Sequence, residues 1–173
     1  ALSQERGFYP MLAAAQLKKI YKINIPHSPN LRIEEQKSFE SAFNIIAELR
    51  ELGRYGLAKQ RWRVLLDNTD FNTQLKLAKY AQEQRWYELS VDSTIVAKAW
   101  DYLNLRLPNA YSDYFDIALK NLNISKTFSM AIARQESAWN PMALSSANAK
   151  GLMQLLPTTA KLTAENNQIP YLN

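Results

Sequence analysis

One carboxylate stands out because it lies near the end of a predicted helix. Residues 130–141 read Met-Ala-Ile-Ala-Arg-Gln-Glu-Ser-Ala-Trp-Asn-Pro, and the only acidic residue among them is Glu136. We predict that this helix stops before Asn140-Pro141, because proline disfavours helical geometry in the residue that precedes it. The partial negative charge of a helix C-terminus and an apolar neighbourhood both favour the protonated form of a carboxyl group. Glu136 is therefore a candidate general acid.

The residues alone leave a second interpretation of Glu136 open. A glutamate on a helix surface often pairs with a nearby cation and does no chemistry. Arg134 is a cation in the same segment. The helical pattern taken alone favours this surface role.

A second segment favours the chemical interpretation. Residues 150–160 read Lys-Gly-Leu-Met-Gln-Leu-Leu-Pro-Thr-Thr-Ala, which indicates a glycine turn that leads into a new helix. Gly151 permits a close approach of the backbone. Gln154 can both donate and accept hydrogen bonds, as is needed to hold hydroxyl and acetamido substituents.

The composition argues against most other catalytic and cofactor chemistry. The chain has no Cys, which excludes disulfides, zinc ribbons, iron–sulfur sites and thiol nucleophiles. Its single histidine, His27, lies between Pro26 and Pro29 in a predicted loop, which argues against a Ser-His-Asp triad or a His-rich metal site. Neither of the usual glycine-rich nucleotide-binding motifs occurs. We expect no metal and no cofactor.

The elements that must position these residues are predicted to be helices. The 173 residues include only four glycines, fewer than a fold rich in hairpins or phosphate loops would need. Apolar residues recur at intervals of three and four, and no stretch alternates with period two. We therefore predict an all-α fold with essentially no strand. The predicted helices span residues 10–21, 34–52, 55–66, 71–84, 91–104, 110–119, 126–138 and 157–166.

Local signals indicate where several helices begin or end. Pro10 is predicted to be the first residue of its helix. Gly53 is predicted to follow the end of the helix that starts at residue 34. The segment Asp67-Asn68-Thr69-Asp70 is predicted to close one helix and cap the next. Pro108-Asn109 is the best boundary in the chain, with stacked helical hairpins before it and longer loops after it.

The charge is modestly basic, with 21 Lys and Arg against 16 Asp and Glu and a pI of about 9.4. The densest basic run interleaves with aromatic residues, as in a groove for single-stranded nucleic acid. We favour another interpretation, in which the basic stems cover the outer face of an amphipathic helix while Trp62 and Leu65/Leu66 pack inward. We therefore predict no nucleic-acid partner, on a surface that would tolerate a polyanion. The basic residues of this run are Arg54, Lys59, Arg61 and Arg63.

No apolar run approaches the roughly 20 residues that a membrane helix needs. The sequence therefore predicts no membrane span. The N-terminal residues contain no apolar core of a signal peptide, so the compartment cannot be read from them.

The two segments around Glu136 and Gln154 together resemble a known catalytic signature. The pair E-S-A-W-N-P and G-L-M-Q-L-L-P-x-T-A is similar to that of the soluble lytic transglycosylases, goose-lysozyme-like enzymes that cleave peptidoglycan. Residues 6–10 and 86–101 also resemble parts of this family. The resemblance implies three regions: the end of a superhelical domain at 1–29, a helical linker domain at 30–107, and the N-terminal part of a lysozyme-like catalytic domain at 108–173.

The resemblance also implies roles for individual residues. Glu136 would be the catalytic acid and base, with Ser145 beside it and Gln154 among the glycan contacts. Ser137 and Met153 would belong to the substrate-binding residues. The implied reaction cleaves the bond between N-acetylmuramic acid and N-acetylglucosamine, forms a 1,6-anhydromuramoyl end and needs one carboxyl group. In agreement, no Asp or Glu occurs between Glu136 and Glu165. The implied compartment is the periplasm.

The sequence departs from the family pattern in three places. Asn148 stands where the family usually has glycine, which predicts a left-handed backbone there. Leu156 stands where methionine is common, a swap that conserves volume. The downstream half of the catalytic domain has no counterpart. We therefore expect weak or no activity from these 173 residues, and association through exposed apolar surface. The alternative function is a non-catalytic helical module that binds glycan or protein.

Overall fold

The computed structural model describes residues 5–171, and these form α-helices without a strand. The all-α prediction is confirmed. None of the described helices is long and apolar enough to cross a membrane. In chain order the helices are α1 (Phe8–Gln16), α2 (Ile33–Glu51), α3 (Tyr55–Asp67), α4 (Phe71–Glu83), α5 (Tyr87–Val96), α6 (Leu103–Arg106), α7 (Ser112–Ala118), α8 (Lys126–Ser137) and α9 (Pro157–Asn166).

Most helix ends agree with the local signals. Gly53 has a φ of +69° just beyond the end of α2, as a C-terminal glycine should. Asp70 caps α4, since its side chain accepts a hydrogen bond from the Thr73 backbone at 2.8 Å. The predictions for α2, α3, α4 and α9 hold to within one residue.

The prediction for α1 is wrong at both ends. The helix begins at Phe8, so Pro10 is its third residue and not its first. This placement carries no penalty, because the first N–H groups of a helix have no partner within the helix anyway. The helix ends at Gln16 and not near Tyr21, and Lys18 turns left-handed with a φ of +51°.

The helix predicted at 91–104 is also wrong. The chain forms α5 from Tyr87, leaves the helix before Lys98 at a φ of +52°, and forms the short α6 from Leu103. The reason is burial: seven of the ten residues of α5 are buried, and polar residues are among them. A helix that is buried on all sides shows no clear apolar stripe, so its periodicity does not mark its ends.

The first core lies among α2, α3, α4 and α5. Phe43, Ile46, Trp62 and Leu89 belong to it, and Trp62 is fully buried. The Trp62 Nε1–H donates to the Ser93 Oγ at 2.8 Å, which satisfies the indole. This confirms the inward packing predicted for α3.

Two cations of the basic run are occupied in ion pairs. The Arg63 guanidinium donates two hydrogen bonds to the Asp92 carboxylate, both at 2.8 Å, and Lys59 lies 3.1 Å from it. Burial would raise the pKa of Asp92, but the bonds from Arg63 and the charge of Lys59 outweigh burial and lower it. Half of the run therefore neutralises a buried carboxylate within the protein.

A second core joins α5 to the remainder of the chain. It contains Val91 of α5 together with Ala110, Phe115, Ala133 and Trp139. Because α5 contributes Leu89 to the first core and Val91 to the second, this helix connects the region before Pro108 with the region after it.

Candidate active site

Glu136 is the last residue but one of α8, and its side chain is exposed. The expected apolar neighbourhood is therefore wrong. The buried residues of α8 are Ser129 and Ala133, and small side chains on the same helix do not cover a carboxylate one turn further on.

The surface ion pair proposed for Glu136 is also not formed. The Arg134 Nε–H instead donates to the backbone oxygen of Arg106 at 3.0 Å. Burial lowers the pKa of Arg134, and the charge of Arg106 lowers it further. Within residues 5–171 the Glu136 carboxyl makes no hydrogen bond and no ion pair, so it is free to act on a ligand.

The bounds predicted for α8 hold to within one residue, since the helix ends at Ser137, but the cause of its end differs from the prediction. The helix ends before it reaches Pro141. Instead Ala138 and Trp139 turn left-handed in succession, with φ values of +50° and +71°. The change of hand ends the helix immediately after Glu136.

A compact loop follows this turn. The Gly151 N–H donates to the Ala143 oxygen at 2.9 Å, and Lys150 and Leu155 exchange backbone bonds of 3.0 and 3.1 Å. Gly151 has a φ of +74°, as its turn requires. Asn148 has a φ of +63°, which confirms the left-handed backbone predicted for it.

The two serines predicted to bind substrate make local hydrogen bonds. The Ser145 Oγ accepts from the Ala149 N–H at 3.0 Å and so closes the loop, while its own hydroxyl proton remains available. The Ser137 hydroxyl donates to the Ala133 oxygen one turn back at 3.1 Å. Met153 lies on the same loop with its side chain exposed.

Gln154 also has a structural role, which was not predicted from the sequence. Its Nε2 donates to the Ala143 oxygen at 3.1 Å and to the Gly151 oxygen at 2.9 Å. Both amide hydrogens are therefore used to hold the loop, and only the Oε1 remains for a ligand. The half-buried side chain can therefore bind a ligand only as an acceptor.

The predicted residues fall into two groups. Glu136 and Ser137 lie at the end of α8, whereas Ser145, Met153 and Gln154 lie on the loop between residues 140 and 156. No hydrogen bond joins the side chains of the first group to those of the second in the described structure. The described residues also hold no cluster of His, Cys, Asp and Glu suited to a metal ion.

A cavity of about 570 Å³ opens beside the same loop. One wall consists of residues 53–57, which are the turn after α2 and the first residues of α3. The other wall consists of Asn140 and residues 142–144. None of the five predicted site residues lines it. Trp139, two residues after the end of α8, is buried and does not line this cavity either.

Two family models match the chain. Residues 36–103 match the soluble lytic murein transglycosylase L domain, and residues 113–173 match the transglycosylase SLT domain. Both models describe domains of lytic transglycosylases, and together they match most of the chain, which defines its class. This chain belongs to the soluble lytic murein transglycosylase family.

Relatives and solved structures agree with this assignment. The chain is 74% identical over 171 residues to a Haemophilus influenzae protein whose name assigns it to the soluble lytic murein transglycosylases, covering 99% of the chain and 29% of that protein. It is 39% identical to the soluble lytic murein transglycosylase of Escherichia coli K12, covering 98% of the chain and 26% of the relative.

The crystal structure of the 70 kDa soluble lytic transglycosylase of Escherichia coli superposes with a TM-score of 0.91 at 38% identity, covering 99% of this chain and 28% of that one. The complex of the 70 kDa enzyme with bulgecin A gives a TM-score of 0.92 at 37% identity, with the same coverage. The chain thus spans less than a third of the length of these proteins.

Proposed function

We propose that this chain carries the catalytic acid of a peptidoglycan lytic transglycosylase. The enzyme cleaves the β-1,4 bond between N-acetylmuramic acid and N-acetylglucosamine and leaves a 1,6-anhydromuramoyl end. The observation that carries the proposal is the position of Glu136, an unpaired and accessible carboxyl group at the end of α8 followed by the loop with Ser145 and Gln154. The names of the relatives supply the substrate.

The reaction uses one carboxyl group twice. Protonated Glu136 gives its proton to the glycosidic oxygen as the bond to the anomeric carbon breaks. The resulting carboxylate then takes the proton of the muramoyl C6 hydroxyl, whose oxygen attacks the same carbon. The carboxyl group ends in its starting state, and the acetamido group can stabilise the cationic intermediate. No metal or cofactor takes part.

The remaining roles follow the same proposal. Gln154 accepts a hydrogen bond from the glycan through its Oε1, and Ser145 donates one through its hydroxyl. Met153 and Ser137 line the substrate path. The regions 1–29, 30–107 and 108–173 are the end of the superhelical domain, the linker domain and the N-terminal part of the catalytic domain, of which residues 1–4, 172 and 173 lie outside the described residues. The protein works on glycan strands in the periplasm.

The proposal is tested with purified murein sacculi. We expect Glu136→Gln, in the longest form of the protein that its gene encodes, to lower the release of anhydromuropeptides by at least ~100-fold, because the variant has no proton to give. The matched control is Glu165→Gln, at the next carboxylate along the chain, which lies 3.9 Å from Lys161 on α9. Products are separated by chromatography and identified by mass.

One outcome would contradict the proposal, and another would overturn the weak activity expected of the 173 residues. Equal rates for Glu136→Gln and the unaltered protein would remove the catalytic role, and retained binding to sacculi would then favour the non-catalytic glycan-binding module. The 173 residues alone should release anhydromuropeptides slowly or not at all, and a rate equal to that of the long form would overturn this expectation.

A further inference from the structure

The turn directly after Glu136 holds an unfavourable backbone conformation. Ala138 and Trp139 both have positive φ values, +50° and +71°, and neither is glycine. Consecutive left-handed residues with side chains persist only where the surroundings hold them. Such strain next to a candidate catalytic group requires contacts that maintain it.

The burial of Trp139 holds this turn. Its side chain is only 2% exposed, and it packs against Phe115 with ring centroids 6.3 Å apart. The Trp139 Nε1 has no hydrogen-bond partner among the described residues, so apolar packing and not a polar side-chain contact places the indole. The Tyr111 hydroxyl lies 3.5 Å from the backbone oxygen of Trp139 and donates to it.

The surface that receives Trp139 is built in part by the linker region. Tyr87 on α5 packs edge-on against Tyr111, with centroids 5.2 Å apart and planes at 72°. Val91, one turn further along α5, belongs to the same core as Trp139. Burial raises the pKa of Tyr111 to about 12, so its hydroxyl stays protonated and remains a donor at any working pH.

A buried ion pair with α2 fixes the position of α5. Glu88, in its first turn, pairs with Arg50 of α2, and both side chains are more than nine-tenths buried. The Arg50 guanidinium stacks on Tyr55 at 4.6 Å and on Trp86 at 5.6 Å. Tyr87 is therefore presented to Tyr111 by a helix that the linker core holds in place.

We propose that Tyr87, Tyr111 and Trp139 are positioning residues, through which the linker helix α5 sets the direction of the Glu136 carboxyl. Only Ser137 and Ala138 separate Glu136 from Trp139, so any release of the indole lets the last turn of α8 unwind. The inference rests on the proposed function, since it assigns a consequence to the geometry of that acid. A displacement of about 1 Å at a catalytic group can lower a rate by about 100-fold.

The first test compares two tyrosines of the linker. Tyr87→Ala removes the contact with Tyr111, whereas Tyr102→Ala removes an edge-on contact with Phe71, whose ring centroid lies 6.2 Å away and outside the first core. In the longest form of the protein, per folded molecule, we expect Tyr87→Ala to lower kcat on glycan strands about 10- to 100-fold with KM changed less than about 3-fold. Tyr102→Ala should leave kcat within about 2-fold of the unaltered protein, and Tyr87→Phe, which keeps the ring, should retain the unaltered kcat. If Tyr87→Ala does not fold, Tyr87→Leu takes its place.

The second test needs no activity and uses these 173 residues. The Ala138 N–H bonds to the Arg134 oxygen at 3.2 Å and the Asn140 N–H to the Ser137 oxygen at 3.1 Å. Tyr87→Ala should speed hydrogen exchange of these two amides at least ~10-fold relative to Tyr102→Ala.

The outcomes separate the inference from the proposed function. Equal kcat values and equal exchange for the two tyrosine variants would overturn the inference while leaving the acid in place. An unaffected Glu136→Gln would overturn the proposed function, whereas faster exchange in Tyr87→Ala would still support the anchoring of the turn.

Discussion

At the scale of single residues, positive φ values decide what the loop after α8 tolerates. Asn148 was identifiable from the sequence because asparagine adopts a left-handed backbone more readily than most residues. Ala138 and Trp139 were not identifiable, because alanine and tryptophan carry no signal for a left-handed backbone. The candidate acid could be found from its motif, but the residues that orient it could not.

Gly151 should not tolerate a side chain. An added Cβ would lie 3.7 Å from the Pro141 oxygen, which is ordinary contact, so the cost comes from the φ of +74°. We expect Gly151→Ala to lower the free energy of unfolding by about 1 kcal/mol in urea titrations. The control is Gly56→Ala in α3, where no atom lies within 4 Å of the new Cβ and the helical backbone should gain about 0.5 kcal/mol. A stabilised Gly151→Ala would contradict the requirement for glycine.

At the scale of elements, α2 and α3, which have one apolar face, were predictable, and α5, which is buried on most sides, was not. The ends of α2 and α3 followed from periodicity and end signals. The start of α5 did not, because its buried Glu88 and Asp92 read as exposed positions in the sequence while their partners lie on α2 and α3. Partners distant in the chain cannot be inferred from spacing within one helix.

The stability that Glu35 contributes at the start of α2 should decrease in acid. The Glu35 carboxylate bonds Lys76 of α4 at 2.6 Å and the Arg32 N–H at 2.7 Å. The bond from Lys76 is the largest cause that lowers the pKa of Glu35 from 4.5 to about 2. A lowered pKa in the folded state stabilises the fold above pH 4.5, and this stabilisation disappears as the pH falls towards 2.

The measurement is the unfolding midpoint between pH 6 and pH 2. Glu35→Gln should lose less stability than the unaltered chain as the pH falls below about 4.5, so the two midpoints should converge. Glu34→Gln is the neighbouring control, since Glu34 is exposed and has no ion pair in the described structure. Parallel curves for Glu35→Gln and the unaltered chain would disprove the contribution of this carboxylate.

At the scale of the whole molecule, the region after Pro108 exposes large apolar side chains. Ile117 is 74% exposed, Leu144 67% and Phe128 62%. Isolated exposed apolar residues are normal, but several on one small region favour association. This exposure is consistent with the sequence-based expectation that these residues associate.

We expect these 173 residues to self-associate through this region. Sedimentation velocity should give a weight-average mass above 19.9 kDa that rises with concentration. The double variant Ile117→Ser, Phe128→Ser should shift the rise to higher concentration, whereas Ile20→Ser, an exposed residue outside the region, should not. A concentration-independent monomer would contradict the prediction.

Because α5 belongs to both cores, its position determines how the molecule unfolds. Leu89 and Val91 are two residues apart on one helix, and each belongs to a different core. Melting either core would remove a wall of the other, so the two should be lost in one cooperative step. The boundary at Pro108 then separates the two regions that match different domain models, but it does not separate two units of folding. A cleavage at Pro108 would therefore leave no independently stable fragment on either side.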